Sequence, residues 1–153
     1  DYAVGLMTAA VSVALRKTRS FPVSVIAPEL FRSVDLQQEW GRVMQRQARI
    51  PQAGIAVMGK ALGNAALIEK FQQAYAASLA WCEKQPDECG KLVASRAEML
   101  TPEGVADSVR IDNAEFVTTR DARPELEFFF AVLHAREPNL IGGRLPDDGF
   151  YLK

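Results

Sequence analysis

The side chains with the most reactive chemistry are two cysteines, Cys82 and Cys89, in the run Trp81-Cys82-Glu83-Lys84-Gln85-Pro86-Asp87-Glu88-Cys89. Pro86 lies between them and is expected to end one helix and open the next, so the thiols flank a tight corner. A disulfide requires Cα atoms about 4.4–6.8 Å apart, and such a corner supplies that separation. The alternative is a pair of independent small core residues, because unpaired cysteine is often buried. A bridge would argue for an oxidising compartment.

Catalytic chemistry is harder to assemble. The single histidine, His134, sits three residues before Glu137 and reads as a structural or surface residue. Two cysteines and one distant histidine do not have zinc-ligand spacing. The sequence contains neither a nucleophile elbow nor a phosphate-cradling loop. Asp147-Asp148-Gly149 lacks the alternating oxygen ligands of a calcium loop and reads as a turn. No catalytic residue, metal or cofactor is therefore expected.

Four residues are candidates for binding. Met7 and Thr8 lie where a strand is expected to enter a helix, and ligands of open α/β sheets sit at the carboxyl ends of strands. A helix start there also offers free N–H groups to an anion; the plainer reading is an ordinary capped helix. Trp40 has an indole able to floor a cleft, or simply to pack. Gln52, in Ile50-Pro51-Gln52-Ala53-Gly54, offers a hydrogen-bonding amide on an extended segment.

These residues must be positioned by the elements around them. Ala3–Met7 reads as a short buried strand, followed by a helical run from Ala9 to Leu15. Phe21–Ala27 is β-branched and extended, with Pro22 near its start, where a strand tolerates proline, and Ile50–Met58 is another extended run. A helical segment near Leu36 to Val43 falls between them, so α/β packing is expected. From Gly63-Asn64 onward the pattern is helical. Leu67, Phe71, Ala74, Tyr75, Ser78, Leu79 and Cys82 recur at three- and four-residue steps. Thr101-Pro102-Glu103 is a helix start: a hydroxyl cap, proline in the first turn and an acid at the positive dipole end. Asp121 is expected to cap the last helix, with Leu126, Phe129, Phe130 and Leu133 on one face and Pro138 ending it.

The composition sets outer bounds. The 153 residues are 48% hydrophobic, enough for a real core. Eighteen basic residues nearly cancel nineteen acidic ones, leaving a net charge of −1, and the charges are scattered. That balance argues against a nucleic-acid partner. The 14 residues Tyr2–Leu15 carry no charge, but a membrane span needs about 20. Positive charge follows this stretch instead of preceding it, unlike a signal peptide. A chain opening in mid-core is expected to have lost an N-terminal portion.

Three stretches together resemble a known family: Val34-Asp35-Leu36-Gln37-Gln38-Glu39-Trp40-Gly41, Ile50-Pro51-Gln52-Ala53-Gly54-Ile55, and Ile141-Gly142-Gly143-Arg144-Leu145-Pro146-Asp147-Asp148-Gly149-Phe150-Tyr151. Their order and spacing resemble the C-terminal half of ABC-transporter substrate-binding proteins of the nitrate/sulfonate/taurine type. The helix ending near Pro86 and the start Ala122-Arg123-Pro124-Glu125-Leu126-Glu127 match as well. The resemblance implies the C-terminal part of a type II periplasmic-binding fold, strand-rich in its first third and helical beyond. Residues 1–49 would finish the second lobe. Residues 50–153 would hold a strand returning through the hinge, followed by helices packed on the first lobe. Many such proteins carry an acidic residue and a proline just after the strand equivalent to Ala3–Met7, whereas this chain has Met7-Thr8-Ala9.

The implied activity is capture of a small, possibly anionic solute between two lobes for an ABC importer, without chemistry on it. The implied partners are the solute, the transporter permease and an N-terminal half of the same protein, in a periplasmic or otherwise extracytoplasmic setting. Two rivals are an enzyme of the same fold in cofactor biosynthesis and the effector-sensing domain of a transcription regulator. A Cys82–Cys89 bridge would favour the exported binder over both.

Overall fold

A computed structural model describes residues 9–19, 30, 33–111 and 114–152. Among them every regular element is helical. The α-helices are α1 (Ala9–Arg19), α2 (Leu36–Met44), α3 (Ala65–Lys84), α4 (Pro86–Ala94), α5 (Pro102–Ile111) and α6 (Thr119–Arg136). Short 3-10 helices span Gly59–Gly63 and Pro138–Ile141. The chain divides into two compact units, one of residues 1–32 and 69–116 and the other of residues 33–68 and 117–153.

This architecture corrects the expected α/β class and, with it, the strand-rich first third of a type II periplasmic-binding fold. Ala3–Met7 and Phe21–Ala27 lie outside the described residues. Ile50–Met58 is described and pairs with no strand among the described residues. The backbone of Ile50 is instead met by a side chain: its N–H donates to Gln37 Oε1, while Gln37 Nε2 reaches the Ile50 carbonyl at 3.5 Å. One glutamine amide thus stands in for a neighbouring strand at one residue. Beyond it, Ile55 and Met58 are exposed, and the site of a Gly54 Cβ faces open space. Ile50, Ile55 and Val57 favour extended backbone, but a ladder needs a partner, and none adjoins this segment among the described residues.

The helix boundaries follow local capping chemistry. Asp35 Oδ1 accepts from the N–H groups of Gln37 (3.0 Å) and Gln38 (3.2 Å), starting α2. Its end is marked by Gln45 in the left-handed region at φ 53°. Asn64 Oδ1 accepts from Leu67 N–H at 3.0 Å and starts α3, and Pro86 separates α3 from α4. Thr101 Oγ1 accepts from Gly104 N–H at 3.1 Å to start α5. At α6 the cap is Thr118 and not Asp121. Thr118 Oγ1 accepts from Asp121 N–H at 3.3 Å and donates to the Asp121 carboxylate at 2.7 Å. Both residue types cap well, and here the hydroxyl takes the cap while the acid in the first turn accepts from that hydroxyl.

In the first unit α5 is the central element, with α1 and α4 packed on it. Two glycines permit the close approach. A Cβ on Gly90 of α4 would overlap the Pro102 carbonyl, and one on Gly104 of α5 would overlap Val13 of α1. The core at this crossing is Val13, Cys89, Val105 and Ala106, with Ser12 beside them. Cys82 and Cys89 are joined in a disulfide, with Cα atoms 5.0 Å apart across the Pro86 corner. The apolar stripe of α3 is only partly covered: Phe71 and Tyr75 stack at 6.0 Å, but no α3 residue is buried.

The second unit is held by aromatic and cation–π contacts along α6. Trp40 sets its edge against Phe128 and Phe129, at 5.9 and 5.8 Å. Arg46 lies 4.2 Å above the Phe128 ring and forks onto the Glu125 carboxylate. Arg123 binds Glu127 and Asp148 and stacks at 4.5 Å on Tyr151, tying the C-terminal turn to α6. Offset and edge-on ring pairs add to what area burial alone gives.

Two stability outcomes follow from the first unit. Closing a loop of this length with a disulfide is worth about 2 kcal/mol, so urea melts with and without reductant should differ by that amount. Gly90→Ala should lower stability despite the gain of about 1 kcal/mol that alanine normally brings a helix, because the obstructing atom is backbone. Gly54→Ala should leave the melting temperature nearly unchanged. Equal melting temperatures for all three proteins would contradict the close crossing.

Candidate functional site

The first unit carries an open cavity of about 600 Å³. It is lined by Val13, Arg16, Lys17 and Arg19 of α1, and by Thr101, Glu103 and Asp107 at and after the start of α5. The helical repeat places Arg16 a turn beyond Val13, the residue that packs at Gly104. Packing at that glycine therefore brings the basic end of α1 beside the first two turns of α5. Arg16, Lys17 and Arg19 all fall in the last turn of α1, where cations are favoured by the helix dipole.

An ion pair spans the cavity wall. Arg16 Nη2 donates to Asp107 Oδ1 at 2.7 Å, and Arg16 Nε donates to Asp107 Oδ2, a two-pronged carboxylate fork. The hydrogen bond from Arg16 is the main reason that the Asp107 carboxyl is held below the usual carboxylate range. The same bond, from the other side, raises the Arg16 guanidinium. Arg110 Nη1 approaches Asp107 Oδ1 at 3.8 Å, and Arg110 Nη2 contacts both oxygens of Asp87 at 2.7 Å. A chain of alternating charge thus runs from α1 through α5 to α4. Among the described residues of the lining, Arg16, Lys17 and Arg19 are cationic and Glu103 and Asp107 are carboxylates.

The residues singled out from sequence have other placements. Met7 and Thr8 lie outside the described residues. Trp40 packs on α6, and its Nε1–H has no hydrogen-bond partner among the described residues. Gln52 is exposed on the unpaired Ile50–Met58 segment. Neither Trp40 nor Gln52 lines the cavity. Cys82 and Cys89 form the disulfide.

Sequence reading missed the cavity residues as a group, although parts of the signal were visible. Arg16 and Lys17 close an uncharged stretch, and Thr101-Pro102-Glu103 announces a helix start. Their convergence across a separation of 91 residues, from Arg16 to Asp107, has no local signature. A hint lay in Gly104, whose missing Cβ lets α1 approach this face of α5.

Among the described residues no group of His, Cys, Asp and Glu is arranged to hold a metal ion, and no helix is long and apolar enough to cross a membrane. Comparison with known proteins finds no matching family model, no matching curated protein and no matching solved structure.

Proposed function

We propose that the chain is a solute-binding component of an ABC importer, holding a small anionic molecule without altering it. The observation that carries this reading is the open cavity formed by α1 and α5, whose described lining gathers three cationic side chains. Arg16, Lys17 and Arg19 carry positive charge, and Thr101 adds a hydroxyl to the lining. Guanidinium groups suit oxyanions because their N–H donors lie in one plane and meet two oxygens at once. The size fits a small solute, since ligand clefts begin at about 300 Å³.

Two further features support the setting. The Cys82–Cys89 disulfide fits a protein that works in an oxidising compartment, which suits a periplasmic or extracytoplasmic binder. The resemblance of the Val34–Gly41, Ile50–Ile55 and Ile141–Tyr151 stretches to substrate-binding proteins points the same way. The transporter permease would then be the macromolecular partner.

Isothermal titration of the 153-residue chain with acetate, methanesulfonate, inorganic phosphate and neutral uracil tests the reading. At least one anion should bind, and uracil should not. Arg16→Gln, which removes both donors of the fork, should abolish anion binding, and Lys17→Gln should weaken it about tenfold, the loss for one charge-assisted contact. NMR of the recovered anion should show it chemically unchanged. Uracil binding with no anion binding would contradict the proposal, as would conversion of the bound anion to a product.

A further inference from the structure

We infer that Asp107 occupies the oxyanion seat of the α1–α5 cavity, and that the solute is a carboxylate that takes its place on Arg16. The inference rests on the anion-binding reading above and specifies the ligand class and the residue that controls access. Its starting point is the geometry of the fork. Arg16 presents Nε and Nη2, the edge that accepts two coplanar oxygens, and both donors are taken by the Asp107 carboxylate. A carboxylate from outside matches that edge in shape and charge, because it is the same group.

Exchange is feasible only if the displaced Asp107 keeps a partner. Arg110 provides one: its Nη1 already lies 3.8 Å from Asp107 Oδ1, a separation that a small rotation of the aspartate side chain would close. Arg110 is itself anchored on Asp87, so it stays in place while Asp107 moves. Arg110 does not line the cavity and would not touch the solute. The carboxylate therefore passes from one guanidinium to another, and the incoming anion inherits the fork. The Asp107 side chain is 28% exposed and that of Arg16 50%, so the fork opens to solvent without unfolding the α1–α5 contact. Glu103, on the same lining, bears a fixed negative charge that disfavours dianions.

Acetate titrations of the full chain and three variants test the exchange. Removing the internal competitor with Asp107→Asn should tighten acetate binding about tenfold, whereas Arg16→Gln should abolish it. Arg110→Gln, away from the cavity, should weaken acetate about threefold, because displaced Asp107 then has no second cation. Methanesulfonate and phosphate should bind more weakly than acetate to every form. Circular dichroism confirms folding, and the Arg110→Gln arm tests the idea even if Asp107→Asn fails to fold. Acetate binding that Arg16→Gln removes but that neither Asp107→Asn nor Arg110→Gln changes would overturn the exchange while leaving anion binding intact. Absence of acetate binding to any form would overturn the exchange, and absence of binding by acetate, methanesulfonate and phosphate alike would overturn both.

Discussion

The first unit depends on how closely α5 can approach its two neighbours. Gly90 and Gly104 leave no room for a Cβ at the crossings, with the Pro102 carbonyl on one side and Val13 on the other. That steric permission puts Val105 and Ala106 in the core and fixes the turn of α1 that faces α5. Everything polar at the cavity is a consequence. Once Val13 sits on Gly104, Arg16 falls opposite Asp107, and the ion-pair chain through Arg110 to Asp87 can form. The disulfide reinforces the same arrangement from outside by fixing the start of α4 to the end of α3.

The second unit is organised by different physics. Its contacts run along α6, where Phe128, Phe129 and Phe130 present ring faces and edges in succession. Arginines serve twice there: Arg46 and Arg123 each bind a carboxylate while lying over a ring. Tyr151 is buried, and its hydroxyl lacks a hydrogen-bond partner among the described residues. Burial is the main cause pushing that phenol above its ordinary value, with the Glu127 charge adding to it. Packing, not hydrogen bonding, holds this residue.

Local chemistry was legible in the sequence wherever a single residue type determines backbone behaviour. Pro86 divides two helices and Thr101-Pro102 opens another because a missing N–H or a capping hydroxyl acts within one turn. Two kinds of feature were not legible. The Ile50–Met58 run has the composition of a strand, but strand formation depends on a remote partner, and here Gln37 meets the backbone of Ile50 instead. The cavity depends on Arg16 and Asp107 meeting across the chain, and neither helix alone signals its neighbour. Trp40 reads from the sequence as a cleft floor or a packing residue, and its edge-on contacts with Phe128 and Phe129 depend on a helix remote in the sequence, a pairing that no local pattern announces.

Cationic side chains gathered by helix packing around a small open hollow, with a built-in carboxylate holding the seat, make up the central claim. The most direct measurement is a two-dimensional amide NMR titration of the complete chain with acetate. The account predicts shifts concentrated at Val13–Arg19 and Thr101–Asp107, with Trp40, Gln52 and the α6 amides unmoved. Shifts centred on Trp40 and Gln52 instead, or none at saturating acetate, would contradict it.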